Sequence, residues 1–335
     1  YMALRKGHRV VLFERDEYAV GASVRNFGLV WPIGQEPGGG LDRALRARAH
    51  WIEVSQQADF WMNTNGSLHL AYHDDEWNVL NEFLARYEKS PYDCQLLSPN
   101  EVMQKSPVVN AAGLKGGLWS STEGTVYSRD AVRKIAAWLQ QAWGLIIRYG
   151  NVVTEIALPV VKTSREQWRA DQVFICNGAD FETLYPVWFD KYPIVKCKLQ
   201  MIKASMKHPV SIGPTLCAGL TLRHYDAFKK CPSLSRLDAR YDAENNGFKK
   251  DGIHVLLAQN EQGELIIGDS HHYSKTVEPF DAELINTQIL DYLQSFTRLG
   301  ELKIVERWHG VYAKLPGSLF LIINPEPGVT IVNAH

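Results

Sequence analysis

The chain has 335 residues, 36 of them basic against 37 acidic, and is 45% apolar, enough to bury the core of one large or two medium domains. Balanced charge argues against a nucleic-acid binder, no run approaches the roughly 18 to 20 consecutive apolar residues a membrane helix needs, and no signal peptide is legible. Cys94, Cys176, Cys197, Cys217 and Cys231 are odd in number and lack metal spacing, which predicts buried thiols in a reducing, cytoplasmic setting.

From the start, Leu4 to Lys6 form the last turn of a helix, Gly7 its left-handed cap, and Arg9 to Phe13 an apolar strand ending in the acid Glu14. This is the back half of a nucleotide-binding βαβ unit, whose carboxylate after the second strand accepts hydrogen bonds from ribose hydroxyls. Tyr1 then already lies inside the helix, so a strand and a G-x-G-x-x-G turn, about 25 to 30 residues, are expected upstream. Gly21 to Gly28 follow, either a phosphate-facing turn or an ordinary surface loop.

Apolar groups at Leu45, Trp51, Ile52, Val54, Ala58 and Trp61 predict a helix over Leu41 to Met62, closed by Asn65-Gly66. A second helix spans Asp75 to Tyr87, and Ser98-Pro99-Asn100-Glu101 is a capping box that starts a third. Arg129 to Trp143 is helical and ends at Gly144. Strands follow at Leu145 to Arg148, Val152 to Ile156 and Gln172 to Cys176, the last a buried parallel strand delivering Asn177-Gly178-Ala179 to a ligand.

Beyond Pro193 the strands have mixed polarity, as in a half-covered sheet: Val195 to Ile202, Leu216 to Leu222, Ile253 to Ala258, Leu265 to Gly268 and Ile304 to Val311. Ala282 to Phe296 is a helix, and the polar stretch Leu237 to Asp251 reads as a loop. Leu319 to Ile323 and Val329 to Asn333 are apolar strands, after which another glycine turn and helix are expected.

Glu14 at a strand end, G-A-S-x-R-N-x-G at Gly21 to Gly28, Val173 to Ala179, and Trp308-His309-Gly310-Val311-Tyr312 before a final strand pair resemble the flavin-dependent amine and amino-acid oxidases, the group of D-amino-acid, glycine and sarcosine oxidases. Arg25 to Gly28, Lys198 to Met201, Ile267 to His271 and Trp308 to Tyr312 look most like a bacterial subgroup associated with breakdown of small aminophosphonates. The resemblance implies a Rossmann-like FAD-binding α/β domain of the glutathione-reductase type, discontinuous over residues 1–64, 127–187 and 318–335. A large mixed, mainly antiparallel sheet over 65–126 and 188–317 would then form the substrate domain.

FAD carries a pyrophosphate, which favours glycine-turn N–H groups, short hydroxyls and cations. By resemblance Ser23, Arg25, Asn26 and Gly28 lie along the pyrophosphate and flavin, Arg15 near the adenosine, Val153 at the adenine edge, and Asn177, Gly178 and Ala179 at the second turn. The implied reaction moves a hydride from the carbon bearing nitrogen to the flavin, giving an imine that hydrolyses to a carbonyl compound. Tyr312 stands where sarcosine oxidase places a tyrosine over its flavin, and it is either a substrate contact or a core tyrosine. His271 and His272 match a pocket histidine of that enzyme. At most one can face inward, because adjacent strand residues face opposite sides; a solvated pair is the other reading.

Lys198 and Arg307 are either holders of an anionic substrate group or solvated strand edges, and Trp31 and Trp308 are candidate flavin walls. His50, His69 and His73 lack metal spacing, and no metal site is predicted. The electron acceptor is oxygen, a quinone or a carrier protein. The function expected is oxidation of a small amine, an aminophosphonate or an N-substituted amino acid; a 2-hydroxy-acid dehydrogenase and a non-catalytic flavoprotein are the alternatives.

Overall fold

The computed structural model describes residues 1–244 and 246–334. Helix α1 (Met2–Arg5) ends at Gly7, whose φ of +82° is the left-handed cap that stops it, and strand β1 (Val11–Phe13) leads straight to Glu14. The short strand β2 (Leu29–Val30) precedes helix α2 (Gly39–Gln57). This helix ends earlier than the predicted Leu41 to Met62, because Asp59 takes a left-handed φ of +51° and Met62 enters strand β3 (Met62–Asn63).

Strand β4 (Ser67–Ala71) leads to helix α3 (Asp74–Arg86), where the Glu76 carboxylate reaches back to the His73 N–H at 3.2 Å. After strand β5 (Cys94–Leu97), helix α4 (Pro99–Lys105) carries the predicted box: the Ser98 N–H donates to Glu101 at 2.7 Å and Glu101 N–H returns to Ser98 Oγ. Strands β6 (Gly116–Ser120) and β7 (Gly124–Val126) precede helix α5 (Ser128–Trp143), which stops at left-handed Gly144. Strand β8 (Ile146–Arg148) pairs in parallel with β1.

Strands β9 (Val153–Ala157), β10 (Val160–Thr163) and β11 (Gln167–Arg169) form a separate antiparallel meander. Strand β12 (Val173–Ile175) is less buried than predicted, with Phe174 62% exposed. The short helix α6 (Pro186–Phe189) leads to the 12-residue strand β13 (Val195–Met206).

Two regions differ from expectation. Leu216 to Leu222 splits into strand β14 (Thr215–Cys217) and helix α7 (Gly219–His224), since a short apolar run suits either conformation and packing decides. The predicted loop Leu237 to Asp251 is helix α8 (Leu234–Glu244) and helix α9 (Asn246–Lys250). Buried Leu234, Leu237 and Tyr241 make one stripe of α8, while Arg223 ties it by Asp238 at 2.6 Å and Asp242 at 2.9 Å.

Strands β15 (Leu256–Gln259), β16 (Leu265–Gly268) and β17 (His272–Ser274), helix α10 (Glu283–Phe296) and the 13-residue strand β18 (Leu302–Lys314) follow. The chain closes on strand β19 (Leu321–Glu326) and strand β20 (Val329–Asn333), with β20 parallel to β12. A nine-stranded sheet runs β17, β13, β16, β15, β14, β4, β6, β5, and β18 lies along the whole of β13. The main core fills the face of this sheet covered by α3, α7, α8 and α10, and a separate cluster packs around β12, β19 and β20. All five cysteines are free, and no helix among the described residues is long and apolar enough to cross a membrane.

His69 on β4 is fully buried with neither ring nitrogen hydrogen-bonded, packed 5.8 Å from Trp31 and 5.4 Å from Phe228. Burial pushes its pKa from 6.5 down to about 3. The unfolded chain takes up this proton in that window and the folded one does not, so the stability is present above 6.5 and lost as pH falls. The loss is about 1.4 kcal/mol per pH unit. His69→Leu should flatten the urea midpoint between pH 6.5 and about 3 relative to the parent; equal slopes in the two proteins would refute this.

Candidate active site

Glu14 is held by its backbone: its N–H donates to Arg148 O and its carbonyl accepts from Asn151 N–H, both at 3.0 Å. One carboxylate oxygen accepts the Asp16 N–H at 3.1 Å, and the other has no partner among the described residues. Arg15 pairs with Asp180, tying this strand end to the Asn177–Ala179 turn. There Gly178 has φ +58°, and Asn333 Nδ2 donates to Asn177 Oδ1 at 2.7 Å and to Gly178 O at 2.9 Å. Ala179 and Val153 are half-buried.

Within the Gly21–Gly28 loop, Asn26 accepts the Gly28 N–H and donates to Ala22 O, each at 2.7 Å. Gly28 is buried with φ +77°, and a Cβ there would stand 1.9 Å from Val126 O. Both were expected to touch the cofactor; instead they shape the loop, because their polar groups and space are taken by its own backbone and β7. Ser23 and Arg25 remain exposed, with side chains that make no hydrogen bond or ion pair among the described residues. The loop lies on the sheet where Gly310 admits it: a Cβ at Gly310 would meet Arg25 O at 2.7 Å, and Trp308 Nε1 donates to that oxygen at 3.3 Å. A free carboxylate oxygen, an open hydroxyl, an open guanidinium, and empty space beside Gly178 suit a flavin dinucleotide.

Alternation along β18 puts Trp308, Gly310 and Tyr312 on the face that receives this loop, packed with Phe27, Leu29, Leu199 and Met201. Cys197 pairs in register with Tyr312 of β18 on one side and Tyr273 of β17 on the other. Burial pushes that thiol up to about 12 and raises Tyr312 well above the usual phenol value, so both keep their protons at neutral pH.

Four expected site residues lie elsewhere. Lys198 is 5% exposed, and its ammonium is taken up by Asp281 at 2.7 Å, Glu278 O at 2.8 Å and Phe280 O, leaving no donor for a substrate. Arg307, on the opposite face of β18 from Tyr312, pairs with Glu283 of α10 at 2.9 Å. His272 turns to Asp251 at 3.4 Å, whereas His271 is buried and stacks on Tyr273 with centroids 6.2 Å apart. Trp31 packs on His69 and Tyr225 in the main core.

Two features escaped the sequence reading. Lys314, on the same face as Tyr312 two residues on, has no hydrogen bond or ion pair among the described residues and acts electrostatically on Cys197 and His271. The period-2 spacing from Trp308 would have found it. His224, His254 and His271 also converge, with one ring nitrogen of each within 4.8 Å of the others. Their separation along the chain left no local signal.

The family model DAO, FAD dependent oxidoreductase, matches residues 1–335. No curated protein matches the chain. Glycine oxidase from Geobacillus kaustophilus superposes with a TM-score of 0.77 at 18% identity, over 99% of this chain and 84% of that one. Glycine oxidase from Bacillus cereus ATCC 14579 gives 0.78 at 16% identity, over 100% and 85%. L-proline dehydrogenase from P. horikoshii gives 0.77 at 18%, over 99% and 82%. At these identities the likeness is one of fold.

Proposed function

The chain belongs to the DAO family of FAD-dependent oxidoreductases, and from that premise we propose that it oxidises a small amine carrying an anionic group, an aminophosphonate or an N-substituted amino acid. Bound FAD supplies a hydride acceptor for the carbon that bears nitrogen, and the resulting imine hydrolyses to a carbonyl compound. In this reading residues 1–64, 127–187 and 318–335 assemble the FAD unit. Glu14 holds the ribose, Ser23 and Arg25 face the pyrophosphate and flavin, and Arg15, Val153 and the Asn177–Ala179 turn border the adenosine. Residues 65–126 and 188–317 roof it.

The observation that supports an anionic amine is that Lys314, a cation with no ion pair among the described residues, shares with the protonated phenol of Tyr312 the face of β18 that receives the Arg25 loop. Lys314 attracts the anionic end and Tyr312 donates to it, which orients the C–H bond. The phenol keeps its proton throughout the working range, so an ionisation seen in the rate does not belong to it.

The test is anaerobic bleaching of the FAD-loaded full-length enzyme by aminophosphonates, N-methyl amino acids and matched 2-hydroxy acids. Amines should bleach the flavin, faster as pH rises toward the amine pKa. Tyr312→Phe and Lys314→Met should each weaken substrate binding or slow reduction by roughly tenfold to a hundredfold, the worth of a hydrogen bond to a charged group. Faster bleaching by hydroxy acids would move the assignment to alcohol oxidation, and a flavin no small molecule bleaches would leave a non-catalytic flavoprotein.

A further inference from the structure

His224 ends α7, His254 precedes β15 and His271 precedes β17, and the three rings meet beside Tyr273. Centroids are 3.9 Å apart for His224 and His254, 4.7 Å for His224 and His271, and 5.1 Å for His254 and His271. His254 is 4% exposed, and its Nδ1 is buried without a hydrogen-bond partner. Its Nε2 lies 3.0 Å from Asp269 Oδ1, which is also 3.8 Å from His271 Nδ1. His271 Nδ1 donates to Gly252 O at 3.1 Å, which fixes the tautomer and leaves the Nε2 lone pair free. His224 makes no hydrogen bond among the described residues.

Asp269 is the second anomaly. This carboxylate is 4% exposed, its Oδ1 receives no well-directed hydrogen bond, and its ion-pair partners within 4 Å among the described residues are imidazoles, with Lys314 a cation farther off. A buried anion without a cation is costly. The three imidazoles bring ring nitrogens to one point, within 4.8 Å of one another, but no compensating positive charge of a lysine or arginine in contact with Asp269.

The geometry points to a divalent transition-metal site in which His224, His254 and His271 are the ligands and Asp269 orients the imidazoles from behind. Three imidazole ligands select ions of the zinc, nickel and copper class over magnesium or calcium, and they leave coordination positions open. A carbonyl or carboxylate behind a ligating histidine is the usual outer support of such centres. The ion would satisfy the orphaned His254 Nδ1 and balance Asp269 together.

The test uses FAD-loaded full-length protein stripped with a chelator and titrated with Zn2+, read by calorimetry and by metal content after gel filtration. One Zn2+ per chain is expected. His224→Gln and His254→Gln should each weaken it at least about tenfold at unchanged flavin content, Asp269→Asn by about 10- to 100-fold, and the outward His272→Ala not at all. Absence of Zn2+ binding, or equal affinity in the histidine variants, would overturn the site. So would binding of inorganic phosphate in place of Zn2+, which would mark a protonated anion pocket. Should a variant lose flavin, the parent decides: Zn2+ must raise its thermal midpoint reversibly, and an unmoved midpoint counts against the site.

Discussion

Gly28→Ala should yield protein that purifies with an order of magnitude less flavin than the parent. The new methyl would stand 1.9 Å from Val126 O, in a backbone conformation of φ +77° that alanine avoids. Val126 cannot yield, because its N–H is bonded to Gly28 O at 2.8 Å. Left-handed strain and overpacking together cost roughly 2 to 5 kcal/mol, which the protein relieves by lifting the loop off β7. Ser23 and Arg25 then lose their placement. Gly21→Ala is the control, since nothing stands within 4 Å of its Cβ position and its φ is ordinary; it should keep its flavin. The ratio of flavin to protein absorbance after gel filtration reads both, and a fully loaded Gly28→Ala would remove the loop from the cofactor site.

Glu76→Ala should be the most destabilising single change in the sheet domain, by about 3 to 5 kcal/mol. The carboxylate is 2% exposed and accepts from Tyr72 N–H at 2.7 Å, His73 N–H at 3.2 Å, Arg240 Nη2 at 2.8 Å and Tyr241 OH at 2.9 Å. Tyr241 in turn meets Tyr292 at 3.0 Å, and Tyr292 accepts Leu220 N–H at 3.0 Å, so one acid joins α3, α7, α8 and α10. Removal strands a guanidinium and a phenol in the core, although Asp75 still holds Arg240 at 2.7 Å. Glu76→Gln keeps the acceptor and should cost distinctly less. Urea unfolding of the three proteins checks the order, and an alanine variant as stable as the glutamine one would contradict it.

Elements bounded by local chemistry were legible from sequence. Gly7, the Ser98 to Glu101 box and Gly144 end or start helices through contacts within a turn, and β1 stops at Glu14 as read. Helices α7 and α8 were not, because the Leu216 to Leu222 run suits two conformations and the stripe of α8 is thin among charges that long-range partners neutralise. The site divides the same way. The places of Glu14 after β1 and of Tyr312 in β18 could be read from their order along the chain, whereas the fate of Lys198 depends on Glu278 to Asp281, some eighty positions away. Asn26 has the right chemistry for a phosphate, but the turn it closes spends that chemistry.

The seat of the Arg25 loop on Gly310 is made of main chain and a bare glycine, with one indole fastening a carbonyl. Register there does not depend on which side chain occupies position 25. Descendants of this scaffold can therefore exchange that residue, and with it the charge presented to a ligand, without resetting where the polypeptide runs; only a substituent at 310 would oblige the two layers to part.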